Sequence, residues 1–421
     1  MKKRLFLLSL LPPLLSVFAE LAIVSPRKDE TTSLIKEPQR KFILMPREER
    51  KALSYDPEKA KAMRVKNSGD LPQPLTLEWS DTAPADGKTY TVTVKRLPDG
   101  KVFFNATTDK LTAQVVNLEI ARDYEWTVTA GNEKAASTFK TEDLAPRLLQ
   151  FANVRNARDF GGRIGLDGRR IKQSKMFRTS GLNNNAQIVY YKLDEVMQLH
   201  EEGKLDALGE QGKKLERQIK RGEKIDPNFI RLIKSTPTEP GKPKLNDKQR
   251  QFILDTFGIK TDIDLRSDME CYGMTGSPLG PTVKWHQWSY SRFGYGLLFT
   301  DDGYKSFKTV FTLMTDEANY PIVFHCIGGA DRTGVLATML NALLGVEENE
   351  LARDYEATWF SSACGVVDKV HRDWFEAYLG RINKYEGTNL REKAENFAIT
   401  SCGITMEEIN KFREIMLEEP R

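Results

Sequence analysis

Apolar and polar side chains alternate along residues 71–141, and short turn sequences separate the alternating runs. A period of two is typical of strands that bury one face. Asp86-Gly87, Pro98-Asp99-Gly100 and Gly131-Asn132 supply residues suited to tight turns. The pattern predicts a small all-β sandwich over residues 69–143. Its predicted strands are Leu75–Trp79, Tyr90–Leu97, Val102–Thr107, Ala113–Leu118, Tyr124–Ala130 and Ser137–Thr141.

Residues 320–345 show a different pattern, which predicts a buried strand followed by a helix. Tyr320-Pro321-Ile322-Val323-Phe324 is a short apolar run of the kind found in buried strands. From Val335 onwards apolar side chains recur at helical spacing, and the run ends at Gly345, a residue typical of helix C-termini. The connecting loop therefore leads into a helix N-terminus, where unpaired N–H groups and the helix dipole favour an anion.

The connecting loop has the composition of a phosphate-binding cradle. Two glycines allow the backbone to curl so that successive N–H groups point inward. We therefore expect the loop to bind a phosphate group through its backbone, at Ile327, Gly328, Gly329 and Ala330.

The same loop contains a candidate nucleophile, Cys326, because a field that attracts phosphate also stabilises a thiolate. Arg332 can donate a forked pair of hydrogen bonds to two phosphoryl oxygens. Thr333 offers a hydroxyl to the sulfur, and Asp331 could protonate a leaving oxygen. His325 is expected only to orient the loop. The alternative is a structural cysteine buried in an ordinary turn, which is the usual state of a free cysteine.

The loop resembles the signature of the cysteine-dependent protein tyrosine and dual-specificity phosphatases, in which a His-Cys pair is followed by five residues, Arg and then Ser or Thr. Further stretches resemble one bacterial branch of these phosphatases, whose first motif is Asn-Phe-Arg-Asp-Leu-Gly-Gly. The matching stretches are Asn156–Gly162, Phe177–Gly181, Gly258–Ser267 with Glu270, and Asp354-Tyr355.

This resemblance covers residues 148–415, with an insertion at about 183–244. It implies an α/β catalytic domain with a central, mostly parallel sheet flanked by helices. It also implies phosphomonoester hydrolysis through a phosphocysteine, without metal or other cofactor. Paired Arg and Asp side chains at sheet edges usually brace a catalytic loop, and we assign this role to Arg158, Asp159, Asp264 and Arg266.

The sequence departs from the family pattern in two places. Ala330 stands where the bacterial branch usually has a lysine associated with phosphoinositide or broad phosphate recognition, which argues against lipid substrates. The stretch 288–295, where other members carry an acid, has no carboxylate. Asp331 is therefore the preferred proton donor. Asp301 or Asp302 is the alternative, although this pair could simply cap the following helix.

The N-terminal region consists of a predicted signal peptide, a charged segment and the predicted β-sandwich. Lys2-Lys3-Arg4 and an apolar run to Phe18 predict a signal peptide, residues 1–19, and a periplasmic or secreted protein without a stable membrane anchor. An uncleaved anchor is the alternative. Residues 20–68 are charged and predict a linker or loosely packed arm, apart from a helical stretch around Pro46–Lys66. Trp79 and Tyr124 resemble the core tryptophan and tyrosine corner of a fibronectin type III domain, whose ligand the sequence leaves open.

The amino-acid composition limits the kinds of partner that the chain is expected to bind. The 421 residues include 63 basic and 59 acidic ones, so the chain has no strong field for nucleic acid. The basic side chains of the insertion, between Lys213 and Lys224, predict a solvated face or a cap that recruits a polyanion. The four cysteines, Cys271, Cys326, Cys364 and Cys402, do not form a disulfide framework. One of the other three could protect Cys326 as a transient disulfide partner.

Several functions remain open at this point. Hydrolysis of protein phosphotyrosine is the main hypothesis, and small phosphomonoesters are possible substrates. An inositol phosphate or phosphoinositide phosphatase would use the same loop. A phosphate-binding interaction protein without turnover and a rhodanese-type sulfur transferase are the remaining alternatives, both disfavoured by the complete Cys326 to Thr333 loop.

Overall fold

A computed structural model describes residues 20–56, 58–59, 69–82, 86–184, 188–190, 193–223, 231–233, 245–268, 270–271, 273–288, 294–361 and 369–420. The predicted signal peptide, Cys364 and parts of the predicted insertion lie outside these residues. The chain divides into two compact units. In the part of the chain just given, no helix is both long enough and apolar enough to cross a membrane.

The first unit comprises residues up to Thr32 together with 74–118 and 122–142, and it is built from strands. One sheet has the order β1-β3-β6 and the other the order β2-β8-β7-β4-β5. The strands are β1 Leu21–Ser25, β2 Glu30–Thr32, β3 Leu75–Asp81, β4 Tyr90–Arg96, β5 Val102–Thr108, β6 Thr112–Val115, β7 Asp123–Ala130 and β8 Glu133–Thr141.

The strands predicted from the alternation are all present, with bounds shifted by a few residues. Along β3, Leu75, Leu77 and Trp79 are buried and the residues between them are exposed. The Trp79 ring lies 5.6 Å from that of Tyr90 and 6.4 Å from that of Trp126, so the two sheets share one core. The likeness to a fibronectin type III domain stays a prediction.

Residues 20–56 do not form the loosely packed arm expected from their charge. Besides β1 and β2 they form α1 (Glu37–Leu44) and α2 (Arg47–Leu53). Phe42 and Ile43 are buried in the core of the second unit. Helix α2 lies within the helical stretch predicted around Pro46–Lys66. Helix α1 was not predicted, because a few apolar side chains, too sparse to show a period, are enough to anchor a short helix.

The second unit contains a five-stranded sheet of order β14-β13-β15-β10-β9. Neighbouring strands are parallel except at the β9–β10 edge, as the resemblance implied. The strands of this sheet are β9 Arg158–Asp159, β10 Met176–Thr179, β13 Thr261–Asp264, β14 Lys284–Gln287 and β15 Ile322–His325. A separate two-stranded antiparallel sheet pairs β11 Ile188–Tyr190 with β12 Arg231–Ile233.

Helices cover both faces of this sheet. Ile322 and Phe324 of β15 join one apolar cluster and Val323, which points the other way, joins a second. The helices of the unit, after α1 and α2, are α3 Leu193–Glu201, α4 Gly209–Lys220, α5 Asp247–Phe257, α6 Asp301–Met314, α7 Asp331–Leu343, α8 Glu348–Glu356, α9 Lys369–Ile382, α10 Leu390–Asn396 and α11 Met406–Met416.

The predicted insertion contains α3, α4 and the antiparallel pair β11–β12. Val196, Leu205 and Leu215 form a small core of its own. A short 3₁₀ turn, Leu205–Leu208, directly precedes α4. Glu216 pairs with Lys220 and lies 3.1 Å from His200, so part of the basic face is neutralised.

Candidate active site

The loop between β15 and α7 lies at the carboxyl edge of the parallel sheet, where the neighbouring strands β10 and β13 also end. Thr179 and Asp264 are both in register with His325, the last residue of β15. This edge is the usual ligand site of open α/β sheets. Residues distant in sequence therefore meet around Cys326, which is 3% exposed.

Gly329 is the residue that the loop conformation requires. Its φ is +69°, and a Cβ placed there would lie 2.4 Å from the carbonyl oxygen of Thr179 and 2.8 Å from the backbone nitrogen of Ser180. A side chain is excluded both by backbone conformation and by space. Ala330 is the N-cap residue of α7 and makes no side-chain capping hydrogen bond. The first N–H groups of the helix are therefore not capped by its side chain.

Three successive carbonyl groups of the loop are held from outside. Gly181 N–H donates to Ile327 O at 2.9 Å. Asn156 Nδ2 donates to Gly328 O at 3.0 Å, and Arg178 donates to Gly329 O at 2.8 Å. A planar peptide directs its N–H opposite to its C=O, so these bonds turn the loop amides toward the concave side. Amides turned in this way have the form of an anion-binding nest.

Behind the loop a fully buried carboxylate, Asp354, collects several guanidinium groups. Arg178 donates to one of its oxygens, Arg163 lies 2.9 Å from the other, and the Arg158 Nε lies 3.6 Å from that oxygen. Burial alone would raise the pKa of Asp354, but the charges of these arginines hold that pKa well below its ordinary value. Arg158 contacts Asp354 and so helps to hold the back of the loop. Asp354 matched the bacterial motif, but its role as the common partner of these arginines, and the part played by Arg163, follow only from the structure.

Arg332 is bound by a carboxylate at the front of the site. Its guanidinium donates to both oxygens of Glu270, at 2.7 and 3.0 Å, and to Leu265 O at 3.2 Å. Burial would raise the pKa of Glu270, but the hydrogen bonds and charge of Arg332 lower it. Glu270 matched the bacterial motif, but its role as the partner of Arg332 follows only from the structure. The bidentate contact fixes the guanidinium plane beside the loop.

Asp331 lies in the first turn of α7 and its side chain is 43% exposed. Tyr295 Oη donates to Asp331 Oδ1 at 2.6 Å. The alternative acids, Asp301 and Asp302, are both exposed and lie in the first turn of α6, which is capped by Thr300 rather than by either aspartate. The structure therefore places Asp331, and neither of the other two, within the loop and helix that form the cradle.

His325 is completely buried between two aspartates. Its Nε2 lies 3.0 Å from Asp262 Oδ1, and its Nδ1 lies 3.8 Å from Asp264 Oδ1. Burial lowers the pKa of His325, but Asp264 and Asp262 outweigh burial and raise it. Asp264 in turn accepts from Arg266 Nε at 2.9 Å. These residues hold the ends of β13 and β15 together, in keeping with the bracing roles expected for His325, Asp264 and Arg266.

Two other site residues differ from expectation in their contacts. Asp159 accepts hydrogen bonds from Arg147, from Ser174 N at 2.8 Å and from Gly161 N at 2.8 Å, so it braces the turn between β9 and β10 rather than the cradle. Thr333 is fully buried and, among the described residues, its hydroxyl has no hydrogen-bond partner. The bond to the Cys326 sulfur predicted for Thr333 is absent from this structure.

The remaining described cysteines are buried free thiols. Cys271 Sγ donates to Asp264 Oδ2 at 3.4 Å, and burial raises its pKa well above the ordinary value. Burial likewise raises the pKa of Cys402 to about 12. Neither thiol is therefore activated as a nucleophile. Within the described ranges, no cluster of His, Cys, Asp and Glu side chains is suited to hold a metal ion.

A cavity of about 400 Å³ lies beside the Tyr295 ring. Tyr295 and Trp374, whose rings are 5.7 Å apart, form part of its wall. The lining residues are Gly294, Tyr295, Gly296, Leu297, Trp374, Ala377, Tyr378 and Arg381. The cavity is thus aromatic and apolar, with one basic residue in its lining.

Comparisons with known proteins agree with the geometry of the site. Residues 241–418 match the model of the tyrosine phosphatase family. A protein of Cupriavidus necator that carries the provisional name of a tyrosine-protein phosphatase is 26% identical over 231 residues, which are 52% of this chain and 64% of that protein. The chain therefore covers less than two thirds of the relative it matches.

Proposed function

We propose that this protein is a cysteine-dependent phosphatase that hydrolyses protein phosphotyrosine through a phosphocysteine intermediate. The observation that carries the proposal is the cradle itself. Three outward-held carbonyls, a left-handed Gly329 and the N-terminus of α7 surround Cys326. Arg332 is held beside it by Glu270. These are the parts that in-line phosphoryl transfer requires.

In the first step the Cys326 thiolate attacks phosphorus, and the bond from phosphorus to the leaving oxygen breaks. The loop amides and Arg332 bind the equatorial oxygens, and Asp331 gives its proton to the leaving oxygen. In the second step water attacks the phosphocysteine, the S–P bond breaks, and Asp331 takes a proton from the water. The unpaired Thr333 hydroxyl can then donate to the departing sulfur.

The cavity beside Tyr295 favours an aromatic leaving group. Tyr295, which lines it, donates its hydroxyl proton to Asp331 Oδ1 at 2.6 Å. An aryl ring can be buried against the Tyr295 and Trp374 rings. An inositol polyphosphate would require several cations, whereas Arg381 is the one basic residue among those that line the cavity. Ala330 in place of a lysine also favours phosphotyrosine over phosphoinositides. We further propose that the protein is exported and that the strand-rich unit is an accessory module.

The test is hydrolysis of 4-nitrophenyl phosphate by the purified protein in the presence of a chelator. Cys326→Ser should lower kcat by about 10⁴-fold or more, because it removes the nucleophile. Cys402→Ser, which removes another buried thiol, is the matched control and should retain activity. Activity that survives in Cys326→Ser, or that the chelator abolishes, would reject the mechanism. Tight phosphate binding without turnover by the unmodified protein would support a binding protein instead.

A second assay compares substrates. Phosphotyrosine peptides, phosphoserine peptides, inositol hexakisphosphate and phosphoinositide vesicles should be offered side by side under the same conditions. We expect phosphotyrosine peptides to have the highest kcat/KM. A preference for inositol hexakisphosphate or phosphoinositides would replace the proposed substrate while leaving the chemistry of Cys326 in place.

A further inference from the structure

A chain of hydroxyl groups leads from the interior of the second unit to Asp331. The Tyr355 and Tyr295 hydroxyl oxygens are 2.5 Å apart, and the Tyr295 hydroxyl donates to Asp331 Oδ1 at 2.6 Å. Tyr355 lies on α8, and Tyr295 lies on the segment before α6. The hydroxyls thus join three separate parts of the chain at the proposed proton donor.

The rings that carry these hydroxyls are held by aromatic packing. The Tyr355 ring is stacked on Phe375 at a centroid distance of 4.3 Å. The Tyr295 ring contacts the rings of Tyr355, Trp374 and Tyr378 at centroid distances of 6.4, 5.7 and 6.4 Å. Because both rings are packed, their hydroxyl oxygens have well-defined positions. A hydrogen bond from such a group restricts the rotation of a partly exposed carboxyl group.

The direction of the hydrogen bonds follows from the chemistry of the groups. An ionised carboxylate can only accept, so the Tyr295 proton points to Asp331. The Tyr295 oxygen then remains available to accept from Tyr355. Burial raises the pKa of both tyrosines well above the ordinary value, and each therefore stays protonated. His371, whose Nε2 is 3.9 Å from Asp331 Oδ1, is the other titratable group facing this carboxyl in the described residues.

We infer that Tyr295 is a positioning residue for Asp331, and this inference rests on the proposed function. By donating to Oδ1, Tyr295 makes that oxygen the hydrogen-bond acceptor of the carboxyl group. The proton given to the leaving group is then carried by the other oxygen, Oδ2. Tyr355 polarises Tyr295 through its own hydrogen bond, so its contribution is indirect.

The inference predicts an effect that depends on the leaving group. A poor leaving group needs proton donation as its bond to phosphorus breaks, whereas a good one departs as an anion without help. Tyr295→Phe should therefore lower kcat/KM about 30-fold or more for phenyl phosphate. It should lower kcat/KM by no more than about 3-fold for 2,4-dinitrophenyl phosphate. Loss of general structure would reduce both rates by the same factor.

Tyr385→Phe is the matched control. Tyr385 is also a partly buried tyrosine, and its hydroxyl lies 2.9 Å from Ser401 Oγ. Its removal should leave the ratio of the two rates unchanged. Tyr355→Phe, which keeps the contact between Tyr295 and Asp331, should change the ratio in the same direction by a smaller factor. An equal loss on both substrates in Tyr295→Phe would overturn the inference.

The orientation of the Asp331 carboxyl group supplies a readout that does not depend on turnover. It can be compared in crystal structures of Cys326→Ser and of Cys326→Ser/Tyr295→Phe, each with bound inorganic phosphate. Because the Tyr295 hydroxyl donates to Oδ1 at 2.6 Å, we expect one carboxyl orientation in Cys326→Ser and more than one in the double variant.

The two readouts separate this inference from the proposed function. A single, unchanged orientation of the Asp331 carboxyl in the double variant would reject the role of Tyr295, even where activity depends fully on Cys326. A reoriented carboxyl combined with activity that does not need Cys326 would reject the proposed mechanism, while the positioning of Asp331 by Tyr295 would stand.

Discussion

The phosphate-binding loop is held differently on its two sides. Behind it, the Asp354 side chain is 3% exposed and its arginine partners are equally buried, so this side is dry and rigid. In front, the side chains of Arg332 and Asp331 are 16% and 43% exposed; Glu270 binds the first and Tyr295 binds the second. The buried side sets the shape of the cradle. The exposed side carries the groups that must meet substrate and exchange protons with water.

This comparison predicts that the largest loss of stability follows from a change behind the loop. Asp354→Asn keeps the side-chain volume but leaves Arg158, Arg163 and Arg178 without a buried counter-charge. Breaking a buried ionic cluster by removing one partner costs about 3–5 kcal/mol. We expect the free energy of unfolding, measured in urea, to fall by this amount.

Glu350→Gln is the control for that experiment. Glu350 pairs with Arg353 one helical turn away, and the two side chains are 27% and 20% exposed. A pair this exposed contributes less than about 1 kcal/mol. Similar losses in the two variants would show that the cluster behind the loop has no special role.

A smaller loss of stability, accompanied by loss of activity, is expected at Gly329. Gly329→Ala places a methyl group 2.4 Å from Thr179 O at a φ of +69°, so the loop must move. We expect a cost of about 2–3 kcal/mol and a fall in kcat of about 100-fold. Gly203→Ala is matched, since Gly203 has a φ of +65° with nothing near its absent Cβ. That variant should lose about 1 kcal/mol and keep its activity; equal effects at both glycines would contradict the steric argument.

At the front, Glu270→Gln should affect binding more than folding. The neutral amide no longer offers Arg332 two charged acceptors, so the guanidinium plane is less well fixed. We expect kcat/KM to fall about 10-fold, with weaker competitive inhibition by inorganic phosphate. Glu317→Gln, at an exposed partner of Lys175, should change neither value. If Glu270→Gln lowered the free energy of unfolding more than Asp354→Asn does, the comparison between the two sides of the loop would be reversed.

The smallest effect is a dependence of stability on pH. The pKa of Glu270 is lowered in the folded protein, so its ion pair contributes stability above the unfolded carboxyl pKa of about 4.3. That contribution disappears as the pH falls through the lower, folded pKa. The difference in unfolding free energy between the unmodified protein and Glu270→Gln should therefore shrink between pH 6 and pH 3. A difference that grows on acidification would contradict the assigned pairing.

Much of the architecture could be read from the sequence because its signals are local. The alternation over residues 71–141 predicted the strands of the first unit, and the change of period around Phe324 predicted the strand, loop and helix of the site. Helix α1 was missed because its few apolar side chains lie among charged ones, whereas α2 lies within the helical stretch predicted around Pro46–Lys66. The contacts that anchor them, such as Arg50 with Glu356, join residues far apart in the chain.

The residues of the cradle are contiguous, so the sequence by itself determined the nucleophile candidate, the anion nest and Arg332. The tertiary structure alone decided what holds them. Parallel strands end at one edge of the sheet, and this geometry brings Arg178, Asp354 and Glu270 to the loop from separate segments. It also decided that Asp331 is bound by Tyr295. A hydrogen bond between side chains of separate segments leaves no periodic trace in a sequence, because only folding brings its two atoms together.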